Sequence, residues 1–447
     1  MSDEQESTMT LRVPPKLYLT DKPFYECADP RVIKLWNQEQ FEQRTEAWFA
    51  QRQKGISASD CSTSLYQNPE SCSHYISLYN LQDTFKINPK KCCNPYSSVK
   101  EIIMKKCKKS DNGSNLANNP AIIWGVKYEA VVQTIYSQMM LDDIVEFGLM
   151  AHPTISFLFA SPDGISCSHR LNSKPRMLEI KCPSKRKVGP VPPLQYFHQM
   201  LMQMEVCQLD ECDFFDCRFI EYIFEDEWLD EAREWEANPP KEYQVPEDAP
   251  EGLNHHIFGI VLADPQKPEG ADKYIFAPPT IVKVDQFLKW AMDVQTNFFI
   301  ENEYSLVRSH YKLEEYAIVR VYKNDDFIRL NLPAFTEVWN KIEFFRSETG
   351  HQAFLEFENA GKRKKPEDVD TVDITEIPNS TITDATIDTT LVTDDTTVCT
   401  FESSQSTVTV KKRVLTSVSV NIDLHLPRTT AAKSKAMTKP FETLCVC

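Results

Sequence analysis

The sequence predicts an α/β protein with a central mixed β-sheet flanked by helices and a disordered C-terminal tail. Four apolar runs are typical of strands, at 157–160, 177–181, 212–224 and 254–263. Three segments place apolar residues at helical spacing, at 129–136, 280–301 and 332–349. From residue 361 the chain is rich in threonine, aspartate and valine, and this composition favours disorder.

These patterns predict three parts of the chain, namely an N-terminal extension at 1–30, one large domain at 31–350, and a linker with a low-complexity tail at 351–447. Within the large domain, the strands and helices of 210–350 are expected to extend and cover the central sheet. Two apolar runs within 315–330, split by the polar residues 323–326, predict a hairpin. Leu332-Pro333 is then expected to open a helix that continues to about Thr349.

The composition predicts an intracellular protein in a reducing compartment, with nucleus and cytoplasm both left open. The 447 residues include no run of about 18 apolar residues, so no membrane span is expected. The N-terminal segment is polar and acidic, unlike a signal peptide. Fourteen cysteines without such a signal indicate mostly free thiols. The basic run at 361–366 has three interpretations: a nuclear localisation signal, a DNA contact or a solvated linker.

The segment 159–187 contains the residues most indicative of chemistry. Alternate residues of a strand share a face, so Glu179 and Lys181 are expected to point the same way, with Ile180 directed into the core. If Asp163 lies at the end of a neighbouring strand, two carboxylates and an ammonium converge. Two carboxylates can hold Mg²⁺, and a lysine beside it can activate a water for attack on a phosphate. The alternative is an ordinary Glu–Lys surface pair on an exposed strand.

Two short motifs, SPDG at 161–164 and LEIKCP at 178–183, extend this pattern. They resemble the core of the PD-(D/E)xK nucleases, in particular the group of phage lambda exonuclease and the YqaJ-like viral recombinases. Three further segments resemble this group, in the same order along the chain. The resemblance implies a restriction-endonuclease-like fold and a metal-dependent nuclease.

The first further segment is 48–60, which resembles the family's motif of a tryptophan, an arginine and G-I-[ST]-A-S. In the family the arginine and the last serine bind the 5′-phosphate of the digested strand. By this resemblance the residues are Arg52 and Ser59. A guanidinium donates bidentately to phosphate oxygens, in agreement with the implied role. A helix end with a capping serine is the alternative interpretation.

The second further segment is 124–130, which resembles the family's G-x-x-x-E helix. The resemblance implies that Glu129 completes a site for Mg²⁺ or Mn²⁺ with Asp163 and Glu179, and that the Ile180 carbonyl adds a ligand. Lys181 is implied to help activate the attacking water. Alone, Glu129 would be interpreted as an exposed helix residue, the more common position of a glutamate.

The third further segment is 196–206, which resembles the family's Y-x-x-Q-x-Q helix. Gln199 matches the first glutamine, and we expect it to lie in the substrate-binding site. Gln203 lies one turn further along the same face. Leu201 departs from the family, in which a second glutamine is common, and this puts the hydrogen bonding around the metal-bound water in doubt. Core packing is the alternative for this methionine-rich helix.

The net charge of −16 opposes DNA binding, which depends on neutralising phosphates. The distribution of charge is more favourable than the sum, because basic residues cluster at 105–109 and at 185–187. We expect Lys185 and Arg186 to contact the DNA backbone near the metal. A solvated loop is an equally good interpretation of that cluster.

Together the motifs imply a Mg²⁺-dependent 5′→3′ exonuclease that acts on double-stranded DNA ends in viral recombination or genome processing. Two alternatives remain: an endonuclease of the same fold acting on DNA or RNA, and a non-catalytic DNA-binding recombination scaffold. Family members often form rings, so the resemblance implies a homo-oligomer. The alternating residues at 408–426 predict a docking segment for a single-strand annealing or replication protein.

Overall fold

The computed structural model describes residues 12–108, 119–169, 174–239 and 256–360. Within these ranges the chain forms twelve α-helices: α1 Phe24–Cys27, α2 Pro30–Trp36, α3 Glu46–Arg52, α4 Ala58–Cys61, α5 Pro69–Leu78, α6 Val99–Cys107, α7 Pro120–Met140, α8 Leu194–Cys207, α9 Glu225–Ala237, α10 Val284–Asn302, α11 Asp326–Arg346 and α12 His351–Asn359. The same ranges contain ten strands: β1 Ile56–Ser57, β2 Ile144–Val145, β3 Met150–Ala151, β4 Leu158–Ala160, β5 Gly164–Ser166, β6 Met177–Lys181, β7 Glu211–Tyr222, β8 Phe258–Ala263, β9 Tyr274–Phe276 and β10 Val307–Tyr322.

The strands form a central mixed sheet of seven strands and a second sheet of three. The central sheet has the order β2-β5-β6-β7-β10-β8-β9, and the smaller sheet has the order β1-β4-β3. In the central sheet β6 and β7 are parallel, whereas the other neighbouring pairs are antiparallel. Parallel neighbours need a crossover, and α8 provides it between β6 and β7. The predicted α/β fold with a mixed sheet is confirmed.

Helices α7 and α8 cover opposite faces of the central sheet. Successive side chains of a strand point to opposite faces. On β7, the ring of Phe214 stacks on Tyr196 of α8 at 5.7 Å between centroids. The next residue, Phe215, packs on Tyr136 of α7 at 6.2 Å. Strand β6 carries Glu179 and Lys181, which we call the ExK motif. It therefore lies between two helical layers, and all its residues except Lys181 are buried.

The predicted hairpin at 315–330 is wrong, because one long strand and the start of a helix occupy this segment. β10 pairs with β7 along one edge and with β8 along the other. The side-chain oxygen of Asn324 accepts a 3.0 Å hydrogen bond from the Asp326 N–H and starts α11 there. Pro333 lies inside the helix. Packing of Phe327 and Phe335, both buried on α11, outweighs the local cost of that proline.

The described residues up to Phe354 belong to one compact unit, and a second unit starts at Leu355. The structure describes only 355–360 of that second unit. The predicted basic run at 361–366 and docking segment at 408–426 lie outside the described residues, so the predicted domain boundaries remain predictions. The eleven cysteines that the structure describes are free thiols. No described helix is long and apolar enough to cross a membrane.

Candidate active site

Asp163 lies in the turn between β4 and β5, next to the strand that carries Glu179 and Lys181. β5 pairs with β6 so that Gly164 faces Leu178. A β-carbon at Gly164 would lie 2.4 Å from Cγ2 of Ile144, so the turn can approach β2 only with glycine here. Oδ2 of Asp163 accepts a 2.7 Å hydrogen bond from the Ile180 N–H. The backbone of β6 thus fixes the Asp163 carboxylate.

Glu179 and Lys181 lie on the same face of β6 and contact each other. The Nζ of Lys181 donates to Oε1 of Glu179, and it also donates to the Ile180 carbonyl at 2.9 Å. The ammonium lies 4.9 Å from the ring centroid of Tyr196. Glu179 is fully buried. A buried carboxylate needs such partners, because taking a charge out of water is costly.

Gln203, and not Gln199, is the glutamine of α8 that contacts Glu179. Nε2 of Gln203 donates to the second carboxylate oxygen of Glu179 at 2.8 Å. Gln199 is partly buried, and its side chain makes no hydrogen bond to another residue in the part of the chain that the structure describes. The helical spacing places both residues on one face, but it does not reveal which of them meets the sheet.

Glu129 projects from α7 and forms an ion pair with Arg44 that the sequence did not predict. Nη2 of Arg44 lies 2.7 Å from Oε2 of Glu129. Arg44 has a left-handed backbone, with φ of 68°, which is uncommon for a residue other than glycine. The neighbouring Gln43 donates to the Phe147 carbonyl at 3.0 Å and anchors this turn. No sequence signal pointed to Arg44.

The three carboxylates, of which Glu179 is buried and the other two are half-buried, have raised pKa values. Burial and the charge of Asp163 raise the pKa of Glu129 to about 7, against the opposing effect of Arg44. Burial raises the pKa of Glu179 to about 7 as well, although Lys181 opposes the shift. Burial also raises the pKa of Asp163. For Lys181, burial would lower the pKa, but Glu179 and Asp163 raise it above its ordinary value.

The donor set fits a hard divalent cation. Three carboxylates and the Ile180 carbonyl are the oxygen ligands that Mg²⁺ and Mn²⁺ prefer. Oε1 of Gln203 is buried without a hydrogen-bond partner among the described residues, so this oxygen is an unpaired acceptor beside Glu179. In the present arrangement of the described residues, no three His, Cys, Asp or Glu side chains are grouped to hold a metal. The predicted ligands Glu129, Asp163, Glu179 and Ile180 remain a prediction.

The structure brings Arg52 and Ser59 together at a second cluster. Nη2 of Arg52 donates to Oγ of Ser59 at 2.7 Å. The guanidinium carbon of Arg52 lies 4.4 Å from the ring centroid of Trp48. The contact joins the last residue of α3 to the short helix α4. Both residues of the predicted 5′-phosphate site therefore face one location.

Asp60 is the centre of this second cluster, although its sequence context predicted no role for it. Its carboxylate lies 3.1 Å from the Nζ of Lys106, 3.3 Å from the Nζ of Lys105 and 3.7 Å from Arg52. Burial alone would raise the pKa of Asp60, but the three cations, Lys106 first, hold it far below its usual value. We call the residues Arg52, Ser59, Asp60, Lys105 and Lys106 the Asp60 cluster. Its formal charge is +2, which suits an anionic ligand.

This same part of the chain is similar to known proteins. Residues 47–210 match the family model described as the YqaJ-like viral recombinase domain. This segment is similar to that domain, and we call it the YqaJ-like segment. It contains every residue proposed above for the metal and phosphate sites, and the predicted resemblance to this family is confirmed for these residues.

One similar protein is the uncharacterized protein R354 of Acanthamoeba polyphaga mimivirus, which is 26% identical over 334 residues. The match covers 69% of this chain and 53% of that protein, so the chain spans about half the length of this relative. The similar solved structures include the alkaline exonuclease LHK-Exo of Laribacter hongkongensis. It has 16% identity, a TM-score of 0.33, and coverage of 71% of this chain and 98% of the other. A phage-related exonuclease of Haemophilus somnus 129PT has 10% identity, a TM-score of 0.29, and coverage of 66% and 96%.

The basic residues after the ExK strand of the YqaJ-like segment differ in their surroundings. Arg186 donates to both carboxylate oxygens of Asp216, at 2.7 and 2.6 Å. This bidentate pair joins the loop to β7, so it occupies the guanidinium group that was expected to contact DNA. Lys185 is exposed, as a residue that contacts the DNA backbone must be. Of the two residues, Lys185 therefore remains the better candidate for a DNA contact.

Proposed function

We propose that this protein is a divalent-metal-dependent deoxyribonuclease that degrades linear double-stranded DNA from 5′ ends. The observation that carries the proposal is the convergence of Asp163, in the turn before β5, with Glu179 and Lys181 on the neighbouring strand β6, joined through the Asp163–Ile180 hydrogen bond. The match to a viral recombinase family supports a role in recombination. The order of a helix, three antiparallel strands, a crossover helix and a parallel strand supports a PD-(D/E)xK nuclease core.

In this proposal, Glu129, Asp163, Glu179 and the Ile180 carbonyl hold Mg²⁺ or Mn²⁺. Such a cation would supply charge neutralisation at the scissile phosphate and would lower the pKa of a bound water molecule. Lys181 orients the attacking water, because its Nζ already lies beside Glu179 and the Ile180 carbonyl. Gln203 restrains the Glu179 carboxylate from the other side. These residues then act on a phosphodiester placed against the exposed edge of Lys181.

The Asp60 cluster selects the end of the DNA strand in the same proposal. Arg52 and Ser59 bind the terminal 5′-phosphate, with the guanidinium directed by its contact with Trp48. A phosphate carries enough charge to compete with Asp60 for these cations. Binding a terminal phosphate here would fix the distance from the strand end to the cleaved bond. The substrate partner is therefore a double-stranded DNA end.

A digestion assay tests the proposal. We expect purified protein with Mg²⁺ to degrade linear duplex bearing a 5′-phosphate, to leave a closed circle intact and to be inactive with a chelator. Asp163→Asn should be inactive, whereas Asp226→Asn, on the exposed face of α9, should match the wild type. Efficient cutting of the circle would replace this proposal with the endonuclease alternative. DNA binding without any hydrolysis would favour the recombination scaffold.

A further inference from the structure

Arg346 is the last residue of α11 and lies far beyond the YqaJ-like segment in sequence. Its side chain reaches back to the Asp60 cluster. Nη2 donates to the Lys106 carbonyl at 2.6 Å and to the Gln53 carbonyl at 2.8 Å. Nε donates to the same Lys106 carbonyl at 3.1 Å. One guanidinium therefore joins two backbone segments that are 53 residues apart, at Gln53 and Lys106.

Both carbonyls belong to the C-terminal ends of helices. Gln53 is the residue that caps α3, and Lys106 lies in the last turn of α6. The last four carbonyls of a helix have no partner within it, and a cation near that end is favourable. Arg346 satisfies one such carbonyl on each helix. The contact therefore stabilises a fixed arrangement of the two helix ends.

These two helix ends carry the cations of the Asp60 cluster. Arg52 is the last residue of α3, and Lys105 and Lys106 occupy the last turn of α6. The Nζ of Lys106, which is almost completely buried, donates to the Arg52 carbonyl at 2.5 Å. The α3 end thus receives one donor from Lys106 and another from Arg346. The position of Arg52 relative to α6 depends on both donors.

Aromatic contacts hold Arg346 in place. Its guanidinium carbon lies 5.5 Å from the ring centroid of Trp339, about two turns earlier in α11. The Trp339 ring is parallel to that of Phe157 within 7°, at 6.1 Å. The Phe157 carbonyl accepts a 2.7 Å hydrogen bond from Ile56, just before α4. Through Trp339 and Phe157, α11 is therefore also connected to the Ser59 side of the Asp60 cluster.

We propose that Arg346 is a positioning residue for recognition of the 5′-phosphate, and that α11 is a required part of that site. Arg346 fixes the ends of α3 and α6 against each other, so that Arg52 and the exposed Lys105 converge on one phosphate while the buried Lys106 holds Asp60 and the Arg52 carbonyl. This inference rests on the proposed nuclease function. It assigns the C-terminal part of the domain a role in selecting substrate, in addition to covering the sheet.

The test compares wild type, Arg346→Gln, Arg346→Lys and Arg329→Gln on linear duplexes with a 5′-phosphate or a 5′-hydroxyl. Arg329 lies on the same helix, is exposed and pairs with Asp326, so it is a matched control. We expect Arg346→Gln to raise the KM for phosphorylated ends about 10-fold, because small displacements of binding groups are costly. The KM for hydroxyl ends should change much less. Arg346→Lys, which keeps the charge but lacks the planar fork, should recover part of the preference.

Binding in the presence of a chelator gives a second measurement that needs no catalysis. Fluorescence anisotropy should show that Arg346→Gln loses most of the wild-type preference for the phosphorylated duplex. An equal loss for both duplexes would mean general destabilisation and would overturn the inference. An unchanged preference would overturn it as well, while leaving the proposed function intact. A wild type that binds and cuts both ends equally would refute 5′-phosphate recognition and, with it, the role of Arg346.

Discussion

Asp163 and Ile180 are joined by a hydrogen bond from the Ile180 N–H to the Asp163 carboxylate, with a length of 2.7 Å. Ile180 stands between Glu179 and Lys181, and its own side chain is buried. The backbone of the ExK strand therefore sets the position of Asp163, independently of any side-chain rotamer on β6. This contact explains how a turn residue and a strand pair, 16 residues apart, form one site.

Replacing Asp163 by asparagine should remove activity while preserving the fold. The amide oxygen can still accept the hydrogen bond from Ile180, but a charged oxygen ligand is lost. We expect hydrolysis of linear duplex to fall at least about 100-fold, the scale of losing one electrostatic group from an active site. Thermal unfolding should change little. A rate within about threefold of the wild type would contradict the assigned role.

The raised pKa values of Glu129 and Glu179 predict how stability depends on pH. Each value is about 7, above the ordinary value for glutamate, so the folded protein retains protons that the unfolded chain has released. Without a cation, stability should therefore fall as the pH rises from the ordinary glutamate range through about 7. A divalent cation binds the ionised carboxylates, so its stabilisation should grow over the same range.

Thermal unfolding with and without millimolar Mg²⁺ checks this dependence. The rise in Tm caused by Mg²⁺ should be larger at about pH 8 than at about pH 5.5. The Asp163→Asn variant serves as the control and should show a smaller rise at both values. An equal rise in Tm at both pH values would show that cation binding does not depend on the ionisation of these carboxylates.

Gln203 and Gln199 should differ when each is replaced by alanine. Gln203→Ala removes a 2.8 Å hydrogen bond to the buried Glu179 carboxylate. The loss of a bond to a charged buried group costs about 1.5–3 kcal/mol. Gln199→Ala should change the free energy of unfolding by less than about 0.5 kcal/mol. Urea denaturation and the hydrolysis rate measure both variants, and equal effects would contradict the observed contact.

Arg44→Gln should strengthen cation binding. Arg44 neutralises Glu129 at 2.7 Å and must give up part of that contact when a cation uses the same carboxylate. Arg44 is more than one-third exposed, so the pair contributes no more than about 1 kcal/mol. We expect calorimetry to show Mg²⁺ affinity increased about two- to fivefold. Arg31→Gln, which removes a comparable surface pair with Asp29, should leave the affinity unchanged.

The sequence predicts the short-range relationships of the site and misses those that depend on packing. The alternation of a strand is sufficient to place Glu179 beside Lys181. The rotation of α8 on the sheet decides between Gln199 and Gln203, and no local pattern contains it. Arg346 contacts a carbonyl 240 positions away, and Arg44 depends on an unusual backbone angle. Neither contact leaves a periodic signal.

The fold shows the same division between local and distant effects. The strands at 212–222 and 258–263 and the helix α10 follow from their own apolar patterns. The segment 315–330 does not, because its two apolar runs suit a hairpin as well as a strand followed by a helix. Pairing of β10 with both β7 and β8 decides between them, and that pairing joins residues 44 to 111 positions apart.

The boundary of the YqaJ-like segment has a practical consequence for anyone who shortens this chain. The segment ends at residue 210, and β7 begins at Glu211. Strand β6 pairs with β7 over its whole length, from Met177 to Lys181. A fragment cut at 210 would leave the backbone of β6 unpaired along that side, as a template for aggregation. Because β7 in turn pairs with β10, a useful fragment must extend through Tyr322, and retaining Arg346 requires the end of α11 as well.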